Sequence, residues 1–462
     1  MKENYSLFLT KKIAQEIQKD LSGIFYSFFP FDKLASKKPK NVRDRVFSPE
    51  NTILTMILTM IQEDKTLQNS VNIYSLIHKK NQKRIAEMQE RFEQEKELGK
   101  KEKKAGRPRT GIGRIAKSKT QEISKDTSAY SQARIRLPEE SLRTVFEDSK
   151  DFADIQYPNK WHGYRVFIAD GTYLQMQDTE ALRSKFRNKK AGAYPRGLLE
   201  AIIEQGSGAI YDYELDSDSK SELELLSRMI CTIPQGSLLL ADDLYNCFAI
   251  FSLLKQRGVE IIVPGKRTRN YRVVETIAEG DEIVELTKSN NSEWLHGKQI
   301  EDKKLLMRRI EYENPQKEGE KSVIYTSLMD KTLSKTDIIL KYECRWDIEI
   351  SIREIKTIMD VNVVRAKSPE MAGKEVASSL IAYNYIRRKI AEGTENSVFS
   401  PETDIIQKYF EINSPVLLDR LGRRYTKWSV GRRGYTDEGN NQVHNPAAER
   451  SSLSKKNERA KI

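Results

Sequence analysis

The chain has 462 residues, 32% of them charged, and a formal net charge of +12. That length allows two or three domains with real cores, and the basic balance points to a polyanionic partner. Cys231, Cys247 and Cys344 form no CxxC pair and the four histidines are isolated, which argues against a disulfide framework or zinc site. No apolar run approaches the ~18 residues of a membrane span, and no signal-peptide pattern is read. A cytoplasmic, nucleoid-associated protein without membrane contact is the expectation.

Residues 1–77 are expected to form a helical DNA-binding region. In "SPENTILTMILTMIQ", Ser48 reads as an N-cap with Pro49 at the first helical position. The dense apolar content predicts a buried helix. Residues 78–125 read as a basic linker, where 16 Lys or Arg between 79 and 125 stand against 7 acids. Its "KKAGRPRTG" resembles an AT-hook core, in which Arg107 and Arg109 would follow a narrow A·T minor groove; a merely basic linker is the plainer reading.

"AYSQARIRLPEESLRTVFED" predicts a helical lead-in over 126–158, broken at Pro138 and reopened at Glu139. Over 159–265 strands and helices alternate. "YRVFIADGTYLQMQ" reads as a strand pair turning at Gly171, and "LEAIIEQGSGAIYDYELD" as two strands joined at Gly206-Ser207-Gly208. A Ser219-x-x-Glu222 capping box opens the next helix. "SLLLADD" is a short buried strand ending in acids, "NCFAIFSLLKQRG" a helix stopped by Gly258, and "VEIIVPG" another strand. Residues 266–333 are polar and β-leaning and read as an inserted β-rich subdomain. Helices resume at a Ser334-x-x-Asp337 capping box and run to about 392. A C-terminal helical region and polar tail occupy 393–462.

Two acids stand out in the core segment. Asp170 follows "VFIA" and precedes Gly171; Asp242 follows "SLLLA". An acid leaving a buried strand emerges where sites gather in α/β folds. Two bare carboxylates side by side repel and would partly protonate unless a cation lay between them. Oxygen donors without His or Cys suit Mg²⁺ or Mn²⁺. Strand-end Asp is also an ordinary turn former. Asp243 competes with Asp242, because side chains alternate along a strand.

Taken as one helix, "KYECRWDIEISIREIK" (341–356) puts Tyr342, Arg345, Arg353 and Lys356 within roughly 40° of Glu349 around the axis. Ile348, Ile352, Ile355 and Met359 form an apolar stripe beside them. Glu349 is then either an ion-pair partner of Arg345 and Arg353, or a third carboxylate inside a phosphate-binding fence. Three carboxylates can hold two ions about 3.5–4 Å apart.

Tyr342-x2-Arg345-x3-Glu349-x6-Lys356 resembles the Tyr-Arg-Glu-Lys signature of the insertion-sequence-four family of DDE transposases. "ADGTYLQMQDTEAL" and "LLLADDLY" resemble that family's first and second aspartate blocks. "AYSQARIRLPEESL" resembles its stretch ahead of the catalytic domain, and "LIAYNYIRR" its helix after the glutamate, so the likeness covers roughly 125–390. The resemblance implies an α/β fold with an RNase H-like mixed-sheet catalytic core, split by a β-rich insertion. An α-helical N-terminal domain precedes it. Asp170, Asp242 and Glu349 would be the catalytic metal ligands, holding two Mg²⁺ or Mn²⁺ ions. Tyr342, Arg345 and Lys356 would meet DNA phosphates near the cut, with Arg353 on the same stripe. The pattern favours Asp242 over Asp243. Asp243-Leu244 departs from the Arg-Gly pair common in the family at that point.

Lys266, Arg267 and Arg269 in "PGKRTRNYR" are candidate phosphate contacts, or a solvated loop. Trp294 could stack a flipped base beside the cut, or anchor the insertion. The expectation is a bacterial-type transposase that binds terminal inverted repeats in double-stranded DNA, cuts the 3′ ends by metal-dependent hydrolysis and joins them to target DNA, as a synaptic homodimer. Its rivals are a structure-directed nuclease and a non-catalytic, domesticated DNA-binding protein.

Overall fold

Three apolar runs, "VFIA", "LLEAII" and "SLLL", become the centre of one sheet. The computed structural model describes residues 29–30, 33–34, 46–79, 125–152, 160–188, 190, 192–265, 269–288, 294–295, 297–313, 320–358 and 360–395. β1 (Arg165–Gln175) pairs antiparallel with β2 (Arg196–Glu204), and β2 with β3 (Ile210–Ser217). On its other side β1 runs parallel to β4 (Ser237–Leu240), and β4 to β5 (Glu260–Gly265). The expected turn at Gly171 is absent. β1 runs straight through it, because Asp170, Gly171 and Thr172 keep pairing with Ala201, Glu200 and Leu199. Asp170 therefore sits mid-strand on the β2 side, just past the last rung shared with β4.

The polar segment after β5 does fold into strands. β6 (Arg272–Ala278), β7 (Asp281–Thr287), β10 (Lys304–Glu313) and β11 (Lys321–Thr326) do not make a sheet of their own. They extend the first in the order β3-β2-β1-β4-β5-β11-β10-β7-β6. β8 (Trp294–Leu295) and β9 (Lys298–Gln299) form a separate small pair. The result is a mixed α/β fold with a large mixed sheet.

Helices cover both faces. On one side lie α6 (Glu222–Met229) and α7 (Phe248–Arg257), over a core that includes Phe167, Ala169, Leu239, Ala241 and Ile261. The cap of α6 is Ser221, accepting from the Glu224 N–H at 3.2 Å, so the helix is capped two residues beyond the Ser219 read from sequence. Gly258 ends α7 at φ 71°, as expected. On the other side, α8 (Lys335–Glu343) opens at Ser334 as read, and α9 (Asp347–Ile358) follows it. They are not one helix: Cys344–Trp346 form a 3-10 turn between them.

The long α10 (Pro369–Glu395) packs on β3, on α1 (Pro49–Met60) and on α4 (Glu139–Ser149). Ser48 caps α1 with Pro49 inside its first turn, and Thr52 through Met60 are buried, as the apolar density requires. Pro138 separates α3 (Ser128–Arg136) from α4. Asn384 of α10 is fully buried and pins three elements: it bonds both N–H and C=O of Ile210 and the Ser149 hydroxyl, at 2.8–3.0 Å. An amide satisfied this completely fixes α10 against β3 and α4.

Candidate active site

In the β1–β4 ladder Ile168 stands opposite Leu240. Two residues further along come Asp170, still within β1, and Asp242, just past the end of β4, where paired strands lie about 4.8 Å apart. Phe167, Ala169, Leu239 and Ala241 face the core under α6 and α7. By alternation, Asp170 and Asp242 face the other side, where α9 packs on β1.

Asp242 caps the 3-10 turn Asp243–Tyr245, its Oδ1 accepting from the Leu244 N–H at 2.9 Å. Burial raises its carboxyl pKa, Asp243 adds to the rise, and the Arg345 guanidinium opposes it. Asp243 itself is exposed. Asp170 is half-buried and accepts from the Gly171 N–H at 3.0 Å.

The basic stripe arrives in two pieces. Tyr342 closes α8 and Arg345 lies in the 3-10 turn; burial pushes the Tyr342 phenol up to about 12, with Arg345 beside it and Asp242 within electrostatic reach. A phenol held that high remains a hydrogen-bond donor at neutral pH. Lys356, on α9, is lowered by burial and raised in part by Asp170. Tyr342 and Arg345 thus attend Asp242, while Lys356 attends Asp170. Glu349 belongs to α9, between Arg345 and Lys356 in the chain; its side chain lies outside the described residues. Arg353 is exposed on the same helix.

The other expected contacts are less exposed or fall outside the described residues. Arg269 turns inward: it bonds the Asn246 side chain and stacks over Phe251 and Tyr325, at 5.3 and 5.5 Å. Burial lowers its pKa. In this arrangement it braces the turn after Asp242, and it would have to leave those partners to meet a phosphate. Lys266, Arg267, Arg107 and Arg109 lie outside the described residues, as does the side chain of Trp294, whose backbone is in β8.

The sequence reading missed a buried cluster behind the aspartates. Glu200 stands opposite Gly171 in the β1–β2 ladder and is fully buried. The Tyr245 hydroxyl donates to Glu200 Oε1 at 2.7 Å and lies 3.4 Å from Glu222 Oε2. Burial drives the Glu200 carboxyl well above its usual range, against the pull of the Tyr245 hydrogen bond; Glu222, Asp170 and Asp242 push it further. The visible signal was an acid in the middle of the apolar run "LLEAII".

Two half-buried carboxylates at the ends of neighbouring strand pairings, one of them already raised in pKa, suit the oxygen donors a hard divalent cation prefers. Among the described residues no group of three or more metal-ligating side chains is assembled, and no helix is long and apolar enough to cross a membrane.

The family model for the transposase DDE domain matches residues 161–385. The transposase InsG for insertion sequence element IS4 of Escherichia coli (strain K12) is 26% identical over 282 residues, 58% of this chain and 62% of that protein. InsZ of the same organism is 29% identical over 138 residues, 28% of this chain and 46% of that protein. The chain thus spans less than two thirds of the length of either relative. The cryo-EM structure of the piggyBac transposase synaptic complex with hairpin DNA matches with a TM-score of 0.39 and 11% identity, over 93% of this chain and 84% of that chain, a likeness too low to bear on the fold.

Proposed function

We propose that this chain, whose residues 161–385 match the transposase DDE domain and which is similar to the IS4 transposase InsG, is a DNA transposase of that type with Asp170, Asp242 and Glu349 as its catalytic acids. The observation that carries the reading is that Asp170 and Asp242 each follow the last β1–β4 rung, Ile168 opposite Leu240, by two residues, with Arg345 an electrostatic partner of Asp242 and Lys356 of Asp170. The order β3-β2-β1-β4-β5, antiparallel then parallel, supports an RNase H-like core.

Asp170, Asp242 and Glu349 would hold divalent ions, Mg²⁺ or Mn²⁺ and two in number. Bound there, the ions would supply an activated water or 3′-hydroxyl and charge relief at the leaving oxygen. Tyr342 and Arg345 hold the phosphate next to Asp242, by a phenol O–H and a guanidinium fork. Lys356 holds the backbone beside Asp170 as a point charge. Hydrolysis leaves a 3′-hydroxyl on the element end and a 5′-phosphate on the flank. That hydroxyl then attacks a target phosphodiester, and the displaced 3′-oxygen leaves. The partners are double-stranded element ends and target DNA, held by two copies of the chain.

Supercoiled DNA carrying the element's ends tests the assignment. Glu349→Ala and Asp170→Asn should lower metal-dependent nicking about a hundredfold or more while leaving end binding intact. Normal nicking by Glu349→Ala would remove Glu349 from the site. Joined end–target products separate a transposase from a nuclease.

A further inference from the structure

Tyr245 is the last residue of the turn that Asp242 caps, and the Tyr245 N–H donates to the Asp242 carbonyl at 3.3 Å. The Asp242 side chain is tied to the same turn through Leu244 N–H. Whatever fixes Tyr245 therefore fixes Asp242 in both main chain and side chain.

The Tyr245 ring lies in the core beneath α7, on the opposite face of the sheet from the paired aspartates. Its hydroxyl reaches two acids from different elements: Glu200 of β2 at 2.7 Å, and Glu222, the first residue of α6, at 3.4 Å. Glu222 in turn lies over Gly171. A Cβ at that position would come within 2.5 Å of its Cδ. The residue after Asp170 and the turn after Asp242 are thus held by one buried hydrogen-bonded unit.

Packing alone does not account for this unit. A phenylalanine would fill the ring's space in the same core, whereas a buried carboxyl without a donor is costly. Each acid of the pair behind the strands gains only by keeping the hydroxyl where it is.

We propose that Tyr245 is a positioning residue for Asp242: bonded to Glu200 and flanked by Glu222, it sets from behind the sheet the level at which Asp242 meets Asp170. The proposal rests on the transposase reading above and adds a role that the acids facing the DNA do not have. Outer-shell partners of metal-binding side chains contribute in this way by restricting the ligand's orientation.

The test uses the full-length protein, supercoiled end-bearing DNA and a Mn²⁺ titration. In Tyr245→Phe, nicking at limiting Mn²⁺ should fall about ten- to a hundredfold, and the half-saturating Mn²⁺ concentration should rise. Binding of end DNA in the absence of divalent ions should match the parent. Because Tyr245→Phe strands fully buried Glu200, the double variant Tyr245→Phe/Glu200→Leu is the companion: it removes the donor and its 2.7 Å acceptor together, leaving only part-buried Glu222, at 3.4 Å, to turn to water. It should melt near the parent temperature yet still need the higher Mn²⁺ concentration. A double variant with the parent's Mn²⁺ dependence overturns the positioning role while the transposase reading stands. A parent that nicks no end-bearing DNA overturns the transposase reading, and this role with it.

Discussion

Lys356 shows how much a single side chain's setting matters. On a helical wheel it is one of three basic residues near Glu349. In the fold it has Asp170 as an electrostatic partner, and burial lowers its pKa. Arg353, three residues earlier, is exposed. A lysine half-buried beside an acid is well placed for one phosphate and poorly placed for nonspecific attraction. Lys356→Ala should therefore weaken end-DNA binding across sequences and reduce the slope of log K against log salt by about 1. Binding titrations between low and moderate salt read this directly; an unchanged slope would mean that Lys356 touches no phosphate. Glu200 is the converse case. Its side chain never reaches solvent, and no charge count would single it out, yet it holds the turn that carries Asp242.

The elements obey local rules where those rules are chemical. Ser48, Ser334 and Gly258 do what their types predict: two hydroxyls cap helices and a glycine takes φ 71°. Gly258→Ala should cost about 1–2 kcal/mol, because a Cβ there is forced into the left-handed region and comes 2.9 Å from Gln235 Cγ. Urea unfolding would record the loss, with nicking unaffected at low temperature; a loss too small to measure would mean the turn re-forms another way. Where no residue type marks a change, sequence was a poor guide. The break at Cys344–Trp346 contains no Gly or Pro, so the period of 3.6 was carried across it and the stripe was drawn as one line. The turn at Gly171 was the opposite error. Glycine there serves the close approach of Glu222 within a continuous strand.

At the scale of the whole molecule, the sheet joins what the sequence separates. β10 and β11 connect the later strands to β5, and Arg308 of β10 locks that region to the start of α8. Its guanidinium holds Asp281 through two bonds of 2.6 and 2.8 Å and donates to the carbonyls of Asp330 and Leu333. The helix pair that delivers Tyr342 and Arg345 is thereby anchored to the extended sheet. The same strands carry an acid-sensitive contact. Lys321 and Arg309 hold the Glu311 carboxyl at about 2, against an ordinary 4.5. Unfolding takes up a proton there between those values, so this contact's stability is full above pH 4.5 and is lost as pH falls toward 2. Melting temperature followed over that range should fall less steeply in Glu311→Gln than in the parent; parallel curves would deny the contact any share in acid unfolding.

The sequence by itself determined most of the strands and helices, where several helices are capped, and the spacing of two aspartates ahead of a basic helical segment. These follow from local chemistry: apolar period, hydroxyl caps, glycine at positive φ. It also carried the family likeness, because four side chains at fixed intervals survive as a linear pattern. Only the tertiary structure decided that the strands bearing Asp170 and leading to Asp242 run side by side, that the later strands extend the first sheet, and that Glu200 and Glu222 meet at Tyr245. Ladder register joins residues some seventy positions apart, and a one-residue slip would send either aspartate to the wrong face. No local rule contains that choice; it is made by which buried side chains pack together.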